Sequence, residues 1–161
     1  MATSIQHKSK TVARRDVLKA AGLGALAVAA GSILSTEAFA SPSEAKAVLN
    51  KLTGGAKAKS GRVHLKLPEI AENGRTVPIS VKVDSPMTAK DYVKSIHIIS
   101  EGNPNADVVS FNLTASSGKA DISTRIRLGK TQNVLAAAVM SDGSVYLAKK
   151  KIKVTIGGCG G

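Results

Sequence analysis

Tryptophan is absent from this 161-residue chain, and aromatic residues of every kind make up only 2% of it. Stacking platforms for nucleic-acid bases are therefore largely missing, and the core has to be built from Val, Ile, Leu and Ala. There is a single cysteine, so no intrachain disulfide can form. A cysteine-based metal site is excluded in the same way, because such sites need three or four convergent ligands. No apolar stretch reaches the ~20 residues that span a bilayer. Acidic residues are also few, 11 against 23 basic, for a formal charge of +12. Such an excess raises the question of a nucleic-acid partner.

The amino terminus answers that question. Residues 1–40 read as a basic, polar start, the pair Arg14-Arg15, a weakly apolar Ala/Gly-rich run from Ala20 to Leu34, and Ala38-Phe39-Ala40. Small residues at Ala38 and Ala40 fit an export-signal cleavage site after Ala40. Paired arginines before a run of modest hydrophobicity point to the twin-arginine route. "ARRDVLK" resembles the twin-arginine consensus at Arg14, Arg15, Leu18 and Lys19 and departs from it at Ala13 and Val17, which keeps the general Sec route as the alternative. The segment holds five basic and two acidic residues, so the remaining 121 residues carry a net charge of +9. An exported protein meets no genome. Nucleic acid is therefore not expected as a partner, and the positive charge fits an acidic protein, an anionic small molecule or a solvated lysine-rich surface. No stable membrane insertion is expected either.

The expected organisation is a signal at 1–40, a short helix and linker at 41–60, a β-sandwich domain at 61–156 and an arm at 157–161. In "SPSEAKAVLNKLTGG", Ser41 and Glu44 have the spacing of a capping box, and Pro42 suits the first helical position. Val48, Leu49 and Leu52 supply an apolar stripe, and Gly54-Gly55 stop the helix. "AKAKSG" reads as a polar linker.

Beyond it the periodicity becomes two. Val77, Ile79, Val81 and Val83 alternate with Pro78, Ser80 and Lys82. Val109, Phe111 and Leu113 alternate likewise, as do Ile122, Thr124, Ile126 and Leu128, and Ile152, Val154 and Ile156. "VHLKLP", "KSIHIIS" and "NVLAAAVM" add shorter candidates. The interruptions are turn residues, among them Asn73-Gly74, Ser85-Pro86, Glu101-Gly102-Asn103-Pro104, Ser117-Gly118 and Asp142-Gly143. About seven short strands spaced near ten residues apart predict an all-β, immunoglobulin-like antiparallel β-sandwich. "NVLAAAVM" is nearly continuous in its apolar character, which places it centrally in the fold or at a contact with another subunit. His64 and His97 read as ordinary sheet-face residues, and Met87 and Met140 as turn and core fillers. "KKKIK" at 149–153 reads as a solvated strand face, with a second reading as a guide for the carboxyl-terminal residues.

Those last five residues are "GGCGG". Gly157, Gly158, Gly160 and Gly161 bracket Cys159 with residues that visit many backbone conformations. Five such residues form a flexible tether reaching on the order of 16 Å when extended. A thiol at the end of such an arm can enter a narrow channel on another protein. A catalytic cysteine instead needs a fixed base or positive neighbour, and a glycine tether cannot hold one. The arrangement therefore reads as a carrier, not an enzyme. Three other classes keep a place: a periplasmic binding or structural sandwich that dimerises through Cys159, a ubiquitin-like carrier bearing sulfur on its terminal carboxyl, and an independent thiol enzyme.

The motifs "KVTIG" with "GGCGG", "AENGRTVPISVKVDSPMT", "DYVKSIHIISEGNPN" and "STRIRLGKTQNVLAAAVMSDG" resemble the SoxY family of bacterial thiosulfate oxidation. The resemblance implies a periplasmic sulfur carrier exported folded and held by a SoxZ-like β-sandwich subunit. It implies that Cys159 is the attachment site and that no cofactor is present besides the sulfur carried on it. A c-type cytochrome enzyme would couple thiosulfate to Cys159 as an S-thiosulfonate, and a di-manganese hydrolase would release sulfate from it. In some organisms a molybdenum–haem sulfane dehydrogenase would then oxidise the remaining sulfane sulfur.

Overall fold

In a computed structural model of the chain, residues 40–157 are described. They all fall within one compact unit, Glu37–Gly161. One helix, α1 (Pro42–Leu52), precedes nine strands. These are β1 (Ala58–Lys59), β2 (Val63–Lys66), β3 (Ile70–Asn73), β4 (Val77–Val83), β5 (Val93–Ser100), β6 (Asp107–Asn112), β7 (Asp121–Ile126), β8 (Gln132–Met140) and β9 (Val145–Ile156), with a short 3₁₀ turn at Ala115–Ser117.

The strands form two sheets. The larger runs β1-β9-β8-β5-β6, with β3 also on β9, and the smaller runs β2-β4-β7. Their facing sides make the main core. Ile96, Ile98, Val134, Ala136, Ala138 and Ile152 of one sheet meet Val63, Val77, Ile79, Val81 and Ile126 of the other. Each fully buried Val or Ile removes enough apolar surface from water to stabilise the fold by roughly 1.5–3 kcal/mol. This is the sandwich that the period-two pattern predicts, and β4 shows the reason most simply: buried and more exposed positions alternate along all seven of its residues.

Two strands go beyond that expectation. β1 and β3 are very short, and both pair with β9 in parallel. β3 buries only Ala71, too little alternation for a sequence pattern to register, and β1 lies in the segment read as linker. Both take the free edge of β9 that β8 does not use, so the sandwich is antiparallel except along that edge.

β8 lies between β5 and β9 and is buried on both faces. Its inward residues fill the main core, while Leu135 packs outward with Ile99, Ala40, Ala45 and Ala106. Val48, Leu49 and Leu52 of α1 close over that second cluster, together with Leu147. The continuous apolar run is thus explained within this chain, by a strand with a sheet on one side and a helix on the other. α1 carries the expected cap: the Glu44 N–H donates to Ser41 Oγ, and the Ser41 N–H donates to the Glu44 carboxylate at 2.6 Å. A helix of 11 residues is marginal alone, so its apolar stripe and its cap together decide that it docks. Among the described residues no helix is long and apolar enough to cross a membrane.

Candidate functional site: the root of the carboxyl-terminal arm

β9 is 12 residues long, about 40 Å, but its pairing with β8 ends at Gln132↔Ile152. Residues 153–156 therefore overhang the main sheet, and other groups must satisfy their backbone. β3 takes one edge, in register from Ile70↔Lys153 to Asn73↔Ile156. On the other, the Val154 N–H donates to Thr131 Oγ1 at 3.0 Å. Thr155 Oγ1 donates to the Glu72 carbonyl at 3.0 Å. The Gly74 N–H donates to the Ile156 carbonyl, and the Leu128 N–H donates to the Gly74 carbonyl, both at 2.8 Å. The last turn of strand is thus held by the β3–β4 turn on one side and the β7–β8 loop on the other.

Gly157 comes next and packs against the β7–β8 loop. A Cβ placed on it would fall within the van der Waals envelope of the Gly129 carbonyl oxygen and 3.4 Å from the carbonyl carbon. The obstacle is backbone and cannot rotate away.

Gly129 is itself fixed. Its N–H donates to Asn103 Oδ1 at 3.0 Å, and Gln132 Nε2 donates to the same oxygen at 2.9 Å. Asn103 Nδ2 donates to the Arg127 carbonyl at 2.8 Å. Two donors on one side and a carbonyl on the other leave a single orientation for that amide. The Asn103 carbonyl accepts from the Ala40 N–H at 2.7 Å. The side chain of one buried asparagine therefore fixes the loop against which the arm begins. Gly102 makes the close approach possible, since a Cβ there would lie 2.9 Å from Gln132 Cβ. The sequence marks 101–104 only as a turn; what Asn103 reaches depends on the fold.

Of the residues singled out from the sequence, Arg14, Arg15, Ala38, Gly158, Cys159, Gly160 and Gly161 lie outside the described residues. Ala40 is described, and it is buried rather than exposed. In "KKKIK", Lys149 pairs with Glu101 at 2.6 Å and Lys150 donates to the Leu67 carbonyl at 2.7 Å. Lys151 and Lys153 are exposed, and with Lys149 they alternate along one face of β9. The Glu101 carboxyl is held below the usual carboxylate range: burial pushes it upward, but hydrogen bonds from Lys149 and Asn133 outweigh that. The expected apolar alternation of β9 fails at its end, because Ile156 is 69% exposed.

The histidines separate in role. His64 sits on the solvent side of β2, 2.6 Å from Asp84. His97 is buried on the helix-bearing face of the larger sheet, with Nε2 2.9 Å from Ser95 Oγ and Nδ1 2.7 Å from Ser110 Oγ. Burial lowers its pKa, against an upward pull from Asp107. Strand pairing sets His97 directly opposite Ser110, a pair that no local pattern announces. Met140 fills the core, and Met87 is buried at a turn with φ 50°. Among the described residues no group of three His, Cys, Asp or Glu is placed to hold a metal ion.

The profile of the family described as sulfur oxidation protein SoxY matches residues 49–159, a span that ends on the cysteine. The chain belongs to the SoxY family. A solved structure of the sulfur carrier protein SoxY from Chlorobium limicola f thiosulfatophilum is 30% identical, with a TM-score of 0.61, covering 72% of this chain and all of that one. A superoxide reductase (neelaredoxin) from Ignicoccus hospitalis is 19% identical with a TM-score of 0.53, over 74% of this chain and 97% of its own. A superoxide reductase structure from Thermotoga maritima, described as putative, is 17% identical with a TM-score of 0.53, over 62% and 93%. The likeness to these two shows the fold alone. No curated protein sequence matches the chain significantly. The SoxY family places the protein in sulfur oxidation, and the arm root is where its geometry bears on that role.

Proposed function

We propose that the protein is a covalent carrier of sulfur intermediates in thiosulfate oxidation, holding them on Cys159 and presenting them to other enzymes. The observation that carries this reading is the family match extending through Cys159, on a chain whose last strand runs on past its pairing with β8. In the first step the Cys159 thiolate joins the sulfane sulfur of thiosulfate. An S–S bond forms and two electrons pass to an oxidising c-type cytochrome enzyme. Water then attacks the terminal sulfonate sulfur of the Cys–S–S–SO₃⁻ product on a di-manganese hydrolase. Sulfate and one proton leave, and a persulfide remains on Cys159. Where a molybdenum–haem sulfane dehydrogenase is present, it oxidises that remaining sulfur. The carrier supplies access, and activation comes from the enzymes it visits.

Export precedes this chemistry. Arg14 and Arg15 direct the folded chain through the twin-arginine route to the periplasm, bound to a SoxZ-like subunit. Cleavage after Ala40 leaves Ser41, the N-cap of α1, as the first residue, so the capping box survives processing. The test is intact-mass spectrometry of mature protein from thiosulfate-grown cells, with and without reductant. Reductant-labile additions of sulfur or thiosulfonate that disappear in Cys159→Ser are the expected result. A free thiol or a disulfide-linked dimer as the only species would refute the carrier reading.

A further inference from the structure

Resting on that carrier reading, we infer that Gly157 is a fixed seat rather than part of the moving arm. The enzymes that load and unload Cys159 must then dock on the rim around Gly157, with Ile156 as their apolar contact. Gly157 lies against the Gly129 carbonyl with no room for a side chain, and Ile156 before it is pinned through its carbonyl by the Gly74 N–H. Gly129 is held in turn by the buried Asn103 amide. Glycine at 157 is therefore explained by close approach.

A fixed seat shortens the reach. From Gly157 only two residues lead to Cys159, about 7 Å of extended chain, against about 10 Å for the three residues that would lead there from Ile156 if Gly157 were free. A thiol on so short a lead cannot probe a deep channel while the two proteins stay apart, so the entrance of the receiving enzyme has to close onto the surface from which the lead emerges. That surface carries an otherwise unexplained feature. Ile156 is the most exposed large apolar side chain among the described residues, at 69%, although strand alternation points it the same way as the core residues Ile152 and Val154. Exposed arginines stand on the two loops that hold the root, Arg75 after Gly74 and Arg127 before Leu128. The face fits an enzyme entrance with an apolar depression for Ile156 and carboxylates opposite the arginines. The +9 charge of residues 41–161 favours the same acidic partner.

Two measurements on the mature exported protein, as isolated, test this. Backbone ¹⁵N relaxation is expected to give Gly157 an order parameter near the ~0.85 of rigid backbone, and a value below ~0.6 overturns the seat whatever the sulfur chemistry does. Ile156→Ser is expected to slow loading of Cys159 by a periplasmic extract of thiosulfate-grown cells, read by intact mass, by roughly tenfold or more, the scale set by losing burial of one isoleucine side chain. Its reaction with the small reagent 5,5′-dithiobis(2-nitrobenzoate) should stay within about twofold, since that reagent needs no docking. Equal loading of variant and parent overturns the docking face. So does loss of a bound subunit in the variant, which would assign Ile156 to that contact instead. An extract that fails to load even the parent refutes the carrier reading and this inference with it, while the relaxation measurement still decides the seat.

Discussion

Asn103→Ala is the substitution that tests the arm root most severely. The residue is 8% exposed, and its side chain makes three hydrogen bonds, to Gly129 N–H, Gln132 Nε2 and the Arg127 carbonyl. Truncation orphans two donors and one acceptor. Gln132 keeps a weaker alternative in the Lys130 carbonyl at 3.2 Å, and the bonds to Gly129 and Arg127 are only part-buried, so water can replace some of what is lost. A buried group left without a partner costs about 1–3 kcal/mol; with the two part-buried bonds at the low end, the sum is about 3 kcal/mol. With a urea m-value of roughly 1.5 kcal/mol/M, the unfolding midpoint should fall by about 2 M. The exposed Asn105 is the control. It accepts one turn hydrogen bond, from Asp107 N–H, and Asn105→Ala should cost no more than about 0.5 kcal/mol. The same Asn103 variant should loosen Gly157 in the relaxation measurement. A midpoint shift under about 0.5 M with Gly157 unchanged would refute the claim that Asn103 holds the root together.

The buried His97 makes stability pH-dependent in a defined direction. Its pKa is lowered in the fold, so below the ordinary value of ~6.5 the unfolded chain binds the proton first. Stability should be complete above that pH and fall as pH drops toward the folded value, by at most about 1.4 kcal/mol per pH unit from this one group. Urea midpoints of the parent and of His97→Gln between about pH 7.5 and 5 check it, the variant losing that part of the slope. At the helix, Ser41→Ala removes the N-cap acceptor and should cost about 1 kcal/mol. Amide exchange should be faster along α1 and unchanged in β4, at the far side of the main core.

Some of this protein is written locally and some is not. The capping box, the strand alternation, the turn residues and the lone thiol after a glycine pair are all local. Each depends on residues within a few positions of one another, because a strand reports by its period which face is buried and a helix cap is complete within one turn. The sandwich and the family could be read from those features. What the pattern does not carry is which edge meets which. β3 has one buried residue and becomes a strand only because the overhang of β9 leaves backbone groups to be satisfied. Asn103 finds its side-chain partners 24 to 29 residues away, and His97 meets Ser110 across a strand pair. Gly157 has a local side and a tertiary one. In the sequence it is one glycine of a tether, alike in kind to the other three. Only the tertiary structure, by bringing the Gly129 carbonyl against it, gives it a different task, since the exclusion of a side chain there is imposed by backbone 28 residues earlier in the chain.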